Sequence, residues 1–145
     1  MQLQAITHIP LSKDAYMVNE NTIVVRLKAG KGDLKSSEVY YGDRVCMTEP
    51  IVVEKVSMKK IASDELFDYF EAEIKSSYTR VCYYFHIKDM QGKEMYYSEY
   101  GFSREMTCAR TQYFQFPYLH RNDMIRMPEW TENMVMYHIF PDSFA

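Results

Sequence analysis

Apolar residues that recur at every second position are the feature that most constrains this chain. In TIVVRLKAG (residues 22–30), Ile23, Val25 and Leu27 share one side of an extended segment. In TRVCYYFHIKD (residues 79–89), the odd-numbered residues from 81 to 87 are all aliphatic or aromatic. Because successive side chains of a strand point to opposite faces, such segments bury one face and leave the other to solvent. The pattern predicts β-strands.

Turn residues separate these runs at short intervals, in GKGD (30–33), YGD (41–43) and MQGK (90–93). Gly92 stands where a tight hairpin needs a positive φ. β-branched and aromatic residues make three further segments strand candidates, namely 36–43, 51–60 and 93–102. Several short strands joined by frequent turns predict an antiparallel β-sandwich.

Residues 63–75 (SDELFDYFEAEIK) fit two structures. A helix would have Ser63 as its N-cap, with Phe67, Phe70 and Ile74 at helical spacing. A strand would turn Phe70 and Ile74 inward and the glutamates between them to solvent. The aromatic content and the neighbouring strands favour the strand, but periodicity alone leaves both structures open.

Length and charge exclude several classes of protein. The chain has 145 residues, enough for one good core, and a formal net charge of -3 from 17 basic and 20 acidic residues. No basic run exceeds the pair Lys59–Lys60, which argues against binding to nucleic acid or to a membrane surface. No apolar stretch approaches the roughly 20 residues that span a bilayer. The start, MQLQAITHIP, has no features of a signal peptide.

The cysteines and histidines form no recognisable site. Cys46, Cys82 and Cys108 are odd in number and widely spaced, which predicts neither a disulfide framework nor a zinc site and fits a reducing, cytoplasmic setting. The four histidines are also far apart, so no metal site is expected; they are His8, His86, His120 and His138.

The clustered carboxylates of residues 64–73 are interpreted as a solvated face, because catalytic pairs need burial and convergence. No nucleophile motif is present. We therefore expect no active site in this chain.

Thirteen tyrosines and eight phenylalanines indicate a second kind of chemistry. Sugar rings have apolar C–H faces, so exposed aromatic rings flanked by hydrogen-bonding groups suit carbohydrate binding. The candidates are Tyr40, Tyr41, Tyr83, Tyr84, Tyr96, Tyr97 and Tyr100. In each adjacent pair we expect one ring in the core and the other directed outward. The alternative is that these rings only fill the core or an interface.

The last residues, MVMYHIFPDSFA (134–145), resemble the segment that opens the (β/α)8 barrel of glycoside hydrolase family 13, with His138 in place of the usual Gln and Ser143 in place of the usual Arg. Six upstream segments, in order, resemble the amino-terminal sandwich of neopullulanases, cyclomaltodextrinases and maltogenic amylases, carbohydrate-binding module family 34. They are AITHIP (5–10), VRLKAGKGDL (25–34), VYYGDR (39–44), SDELFDYFEAEI (63–74), YYSEYGF (96–102) and FPYLHRNDM (116–124).

The resemblance implies an all-β chain: an immunoglobulin-like antiparallel β-sandwich over residues 1–123, then a connector and an orphan first barrel strand over residues 124–145. Within the second part, 124–133 would be the connector and 134–145 the strand, frayed or packed on the sandwich. Parent enzymes of this type hydrolyse α-1,4-glucans by a retaining mechanism with two carboxyl groups. Those residues, and the calcium ligands of some relatives, would lie beyond Ala145. This chain is therefore expected to be inactive and to need no cofactor.

The resemblance also implies a role in assembly. In the family this domain often forms a homodimer in which one sandwich covers the partner's catalytic barrel and narrows access for maltodextrin or cyclodextrin. The loop after VYYGDR commonly carries an aromatic residue; here that position is Val45. The carbohydrate-contact candidates are Tyr41, Asp43, Arg44 and Val45, although Asp43 and Arg44 could instead pair with each other.

Two other functions remain open at this stage. One is an autonomous starch-binding module, which requires outward aromatic rings on one face. The other is a free-standing immunoglobulin-like interaction domain with no role in sugar binding, and the barrel-like segment argues against it. Trp130, the single tryptophan, lies in the connector, which favours assembly over autonomous binding.

Overall fold

The computed structural model describes residues 1–106, 109–124 and 126–139. Ten strands form its framework: β1 Ala15–Asn19, β2 Thr22–Gly30, β3 Leu34–Asp43, β4 Glu54–Ser57, β5 Lys59–Ser63, β6 Phe67–Lys75, β7 Val81–Asp89, β8 Glu94–Ser98, β9 Gly101–Ser103 and β10 Phe114–Phe116. The helical segments of this part are short 3-10 turns at Leu3–Ala5, Arg110–Gln112, Arg121–Asp123 and Glu129–Asn133. No helix among the described residues is long or apolar enough to cross a membrane.

The strands form two antiparallel sheets that pack face to face. One has the order β1-β2-β6-β5, and the other has the order β4-β3-β7-β8-β9. β7 pairs with β8 over residues 85–88 and with β10 over residues 81–83, so two short strands complete one edge of β7. The predicted antiparallel immunoglobulin-like sandwich is confirmed.

The alternating apolar residues form the inner faces of the two sheets. Ile23, Val25 and Leu27 of β2 are fully buried and face Tyr83 and Phe85 of β7 in a single core between the sheets. Gly92 has φ 86° at the β7–β8 hairpin, as predicted. Extended backbone is favoured here because each strand buries one continuous apolar row.

Residues 63–75 contain a strand, β6, rather than a helix. β6 pairs with β2 along its whole length without a break in register. Phe70, Ala72 and Ile74 are buried, whereas Glu73 is exposed. The strand is favoured over the helix here because it buries one apolar face and because β2, a long partner strand, satisfies its backbone groups on one side.

The predicted single strand over residues 51–60 is wrong. The segment contains β4, which belongs to one sheet, and the start of β5, which belongs to the other, and Met58 separates them. The Met58 N–H donates to the Ser37 carbonyl oxygen at 2.9 Å, and its side chain enters the core. The chain crosses between sheets here because Met58 is anchored in the layer between them.

The predicted strand over residues 93–102 also divides in two, β8 and the start of β9. Gly101 has φ 102°, a conformation that L-residues rarely adopt, so the chain reverses at residues 99–100. Tyr100 lies in this turn and is 75% exposed.

Beyond the sandwich, residues 134–139 belong to no strand, and most of their apolar side chains are exposed. The remainder of the predicted barrel segment, 140–145, lies outside the described residues, as does Cys108. The boundaries 1–123 and 124–145 therefore stay a prediction.

His8 is buried in the main core, where its ring packs edge-on against Phe85 and Phe114. Its Nδ1 lies 2.6 Å from the Arg26 carbonyl oxygen, which can only accept, so Nδ1 carries the proton. Nε2 then accepts from the Tyr83 hydroxyl at 2.8 Å. Burial lowers the pKa of His8, which keeps the imidazole neutral.

We expect His8 to make the protein less stable below neutral pH. Because the pKa of the folded imidazole is lowered, the unfolded chain takes up a proton at this residue first. The contribution of His8 to stability is therefore complete above the ordinary histidine pKa of 6.5 and declines as the pH falls below it. By about pH 5 the loss reaches at most about 2 kcal/mol, which urea unfolding measures.

A matched pair of variants isolates this effect. His8→Gln cannot ionise but keeps a donor and an acceptor, so its unfolding free energy should depend less on pH than that of the wild type. His120→Gln makes the same change at an exposed histidine and should keep the wild-type pH dependence. Equal pH dependence in His8→Gln and the wild type would contradict the prediction.

Candidate functional site

The β3–β4 loop, residues 44–53, contains two of the four predicted carbohydrate contacts, Arg44 and Val45. A third, Asp43, is the last residue of β3 and borders on the loop. Gly42, near the end of β3, has no room for a side chain. A Cβ at this position would lie 2.6 Å from the Val52 carbonyl oxygen, so only glycine allows the returning half of the loop to pass this close to β3. The β3–β4 loop therefore folds back over the outer face of its sheet.

Local hydrogen bonds set the first turn of the β3–β4 loop. The Asp43 carboxylate accepts from the Val45 N–H at 3.0 Å, and the Arg44 N–H donates to the Arg80 carbonyl oxygen at 3.0 Å. Val45 is 49% exposed and Met47 is 98% exposed. The turn is held at its base while its tip projects into solvent.

Arg110 fastens the β3–β4 loop from the opposite side. Its guanidinium donates to the Arg44 carbonyl oxygen at 3.1 Å and also to the carbonyl oxygen of Cys46. A second nitrogen lies 3.4 Å from the Glu49 carboxylate. Hydrogen bonds from a charged donor are stronger than neutral ones, so Arg110 restrains the loop backbone across a sequence separation of more than sixty residues.

A second apolar cluster lies beneath the β3–β4 loop, on the outer face of the sheet. Ile51 of the loop packs with Cys82, Tyr84 and Tyr113, which are all buried. The partly buried residues around them are Tyr40, Cys46, Val53, Tyr96 and Met106. Burial of Ile51 anchors the returning half of the loop by the hydrophobic effect.

A row of aromatic rings extends from this cluster across the sheet. The rings of Tyr40 and Tyr84 stack with centroids 5.2 Å apart, and those of His86 and Tyr96 stack at 4.9 Å. Tyr84 and Tyr96 meet edge-on at 6.1 Å, which makes the row continuous. Tyr40 and Tyr96 are partly exposed, so their rings form the accessible part of this face.

Charged side chains flank the aromatic row. His86 lies between Glu38, at 3.5 Å, and Glu94, at 3.4 Å. Lys55 pairs with Glu38 at 3.1 Å, and Lys88 pairs with Glu94 at 2.8 Å. Burial acts in the opposite direction, but the hydrogen bonds with Lys55 and His86 keep the pKa of Glu38 below its usual value. These groups supply both donors and acceptors beside apolar rings.

The structure separates Tyr41 from the other predicted contacts. Tyr41 is 7% exposed in the main core, and its hydroxyl donates to the Glu54 carboxylate at 3.0 Å. Burial and this hydrogen bond raise the pKa of Tyr41 to about 12. Its ring therefore has no free face for a sugar. Asp43, Arg44 and Val45 do lie together, and Asp43 uses its carboxylate on the loop backbone.

The adjacent tyrosines divide largely as predicted. Tyr41, Tyr83 and Tyr97 contact the main core, whereas Tyr40, Tyr84 and Tyr96 belong to the outer cluster. Tyr84 differs from the expectation because the β3–β4 loop covers it, leaving 5% exposed.

Sequence reasoning missed Met47 and Arg110. A lone methionine in a loop has no distinguishing pattern, and Arg110 acts on a segment far away in sequence.

No group of three or more potential metal ligands occurs among residues 1–106, 109–124 and 126–139. Cys46 and Cys82 are free thiols. Burial raises the pKa of the Cys82 thiol to about 11, so it is a packing group rather than a nucleophile.

Comparison with known proteins gives a consistent result. The family model described as "Alpha amylase, N-terminal ig-like domain" matches residues 1–120. The chain is 41% identical to Neopullulanase 2 of Thermoactinomyces vulgaris over 145 residues, which are 100% of this chain and 24% of that protein. It is 30% identical to an intracellular maltogenic amylase of Bacillus subtilis (strain 168) over 149 residues, with 100% of this chain and 25% of that protein covered.

Solved structures agree. A cyclomaltodextrinase structure superimposes with a TM-score of 0.81 at 30% identity, covering 94% of this chain and 23% of that one. The type III pullulan hydrolase from Thermococcus kodakarensis shares the fold, with a TM-score of 0.55 at 14% identity, over 77% of this chain and 16% of its own. The chain thus spans about a quarter of the length of the neopullulanase and the maltogenic amylase named above.

We expect Arg110→Gln to loosen the β3–β4 loop. The change removes charge-assisted hydrogen bonds to two loop carbonyls, so the unfolding free energy should fall by about 1–3 kcal/mol. Amide hydrogen exchange of residues 44–48 should accelerate more than exchange in β2 or β6. Arg121→Gln, at an exposed arginine outside the loop, is the control and should change neither. Unchanged exchange in residues 44–48 would show that Arg110 does not restrain the loop.

Proposed function

This chain belongs to the α-amylase N-terminal immunoglobulin-like domain family, and from that premise we propose its role in a larger enzyme. It is the non-catalytic amino-terminal domain of an α-1,4-glucan hydrolase of the neopullulanase or cyclomaltodextrinase type. It mediates homodimer assembly, and its β3–β4 loop shapes access of maltodextrin or cyclodextrin to the partner's catalytic barrel.

The observation that carries the proposal is the construction of the β3–β4 loop. Its base is fixed by Arg110 and by the burial of Ile51, while Met47 at its tip is 98% exposed. Because the base of the loop is already restrained, this side chain can enter a cleft of another molecule at a reduced cost in backbone ordering. Such a side chain gains its stabilisation only in that contact, which is the behaviour of an interface anchor.

The carboxylates of the described residues support a non-catalytic role. The Asp64 carboxylate accepts from the Leu66 and Phe67 N–H groups at 2.8 and 2.7 Å, and Glu71 pairs with Arg26 at 2.7 Å. Asp68 accepts from the Gly32 N–H at 2.9 Å. These groups stabilise turns and strands. Hydrolysis by two carboxyl groups would therefore depend on other parts of the protein.

A cytoplasmic location is part of the proposal. Cys46 and Cys82 are free thiols, which persist in a reducing compartment. One similar protein is named an intracellular maltogenic amylase.

A second candidate function is autonomous binding of maltodextrin, and the aromatic row favours it. Tyr40 and Tyr96 present partly exposed rings beside Glu38, Glu94 and their lysine partners. Stacking on the ring faces with hydrogen bonds to the flanking charges is a general mode of sugar recognition.

The two candidate functions differ in whether the isolated chain binds sugar. For the assembly role, we expect flat NMR spectra when the chain is titrated with β-cyclodextrin or maltoheptaose, because Val45 and Met47 would act only beside a barrel. Saturable shifts of the Tyr40, Tyr84 and Tyr96 amides would instead establish autonomous binding on the aromatic row and contradict the expectation.

Met47→Asp in the full-length enzyme tests the assembly role directly. Placing a charge at the loop tip should lower kcat/KM for β-cyclodextrin by about tenfold, the equivalent of losing one buried apolar side chain. It should also shift sedimentation from dimer toward monomer.

Met90→Asp makes the same change at a methionine that is 60% exposed in the β7–β8 turn, and it should leave both properties unchanged. Wild-type kinetics and sedimentation of Met47→Asp would contradict the proposal.

A further inference from the structure

Two arginines of like charge face each other at the base of the β3–β4 loop. Asp43 pairs with Val81 at the end of the β3–β7 ladder, and the Arg44 N–H donates to the Arg80 carbonyl oxygen at 3.0 Å. The hydrogen bond extends the register by one residue, so Arg44 and Arg80 lie opposite each other. Cβ atoms of such a pair are about 5 Å apart on one face, and like charges there are destabilising.

A third guanidinium lies beside this pair. Arg110 donates to the Arg44 carbonyl oxygen, and the three arginines line a cleft of about 340 Å³ together with Val45 and Thr111. No carboxylate lines the cleft. Within the described part of the chain, Arg44 and Arg80 form no ion pair, although the protein as a whole has a net charge of -3. Arg110 pairs with Glu49 at 3.4 Å, so the uncompensated positive charge of the cleft is that of Arg44 and Arg80.

The Arg80 side chain is held but keeps its donors. Its guanidinium lies over the Tyr118 ring, 5.7 Å from the centroid. A cation–π contact uses the face of the guanidinium and leaves the N–H groups at its edge available. Arg44 is exposed, and its backbone is fixed at both N–H and carbonyl. Both side chains are thus positioned to donate to a shared anion.

The paired lysines of a second polar groove differ from these arginines. Lys60 of β5 and Lys88 of β7 line a groove of about 500 Å³ between the edges of the two sheets. However, Lys60 pairs with Asp68 at 3.5 Å, and Lys88 pairs with Glu94 at 2.8 Å. Their charges are compensated by the protein itself, whereas those of Arg44 and Arg80 are not.

We propose that the cleft lined by Arg44, Arg80 and Arg110 binds a phosphate dianion, either free or esterified to a sugar. Guanidinium groups match the spacing of phosphate oxygens, and the Thr111 side chain adds a hydroxyl donor. Val45 supplies an apolar wall against which the C–H face of an attached sugar would pack. Phosphate also removes the repulsion between the two facing arginines.

This inference deepens the proposed function, on which it rests for the sugar part, since it names phosphorylated maltodextrin as a glucan that the β3–β4 loop would favour. The anion site itself rests only on the three arginines.

NMR titration of the chain with inorganic phosphate at constant ionic strength tests the site. We expect saturable shifts at the amides of Arg44, Val45 and Thr111, with a Kd on the order of 1 mM. Arg44→Gln and Arg80→Gln should each raise the Kd by about tenfold, because each removes a charge-assisted donor. Arg104→Gln, which makes the same charge change at an exposed arginine outside the cleft, should leave the Kd unchanged.

Parallel titrations with glucose 6-phosphate and glucose identify the source of the phosphate. Tighter binding of glucose 6-phosphate than of phosphate supports the ester, and equal binding supports the free ion. An unchanged Kd in both Arg44→Gln and Arg80→Gln overturns the proposal, as do shifts spread over the surface lysines.

The neutral β-cyclodextrin and Met47→Asp experiments test the proposed function separately. If phosphate binds in the cleft but Met47→Asp behaves like the wild type, the anion site is supported and the proposed function is contradicted. If Met47→Asp has the expected effect but phosphate does not bind, only the anion site is contradicted.

Discussion

Burial of β7 on both faces is the constraint on which the rest of the structure depends. Its odd-numbered residues, among them Tyr83 and Phe85, enter the core between the sheets, while Cys82 and Tyr84 enter the smaller cluster on the outer face. A strand with two apolar faces needs a cover on each side. The second sheet covers one face, and the β3–β4 loop covers the other. The loop is therefore part of the hydrophobic packing of the domain and is not an optional insertion.

This arrangement explains how a surface loop keeps a defined shape. Loops usually lack buried anchors and are mobile for that reason. Here Ile51 is 6% exposed and Arg110 binds the carbonyl oxygens of the opposite half. Between these anchors, Met47 is 98% exposed. The same contacts account for a rigid base and an exposed tip, because packing of Ile51 on the outer apolar face of β7 fixes the position of the loop.

The sequence predicted the strands better than their connections. Alternation identified β2 and β7 because it reports a face that stays buried over many residues, whereas β6 was predicted from its aromatic content and the neighbouring strands. Alternation failed at Met58 and at residues 99–100, since a crossing between sheets and a tight reversal both continue the same apolar alternation. For the site, the family resemblance grouped Tyr41 with Asp43, Arg44 and Val45. The last three lie together, but the register of β3 directs Tyr41 into the core. Arg110 was out of reach because its partners are more than sixty residues away, beyond any local pattern.

Val45 and the arginines around it together suggest what kind of contact this loop makes. A valine side chain has no ring face, so its contact with a neutral sugar is limited to a small apolar area, worth about 1–2 kcal/mol at most. Affinity for a glucan must then come from elsewhere, either from a partner surface that encloses Met47 or from charge. Arg44 and Arg80 beside Val45 provide uncompensated charge, which favours a ligand with an anionic group over a neutral one. Under the proposed function, the loop would select ligands by shape and by electrostatics, whereas the aromatic row, which has the ring faces, lies under and beside it on the same sheet.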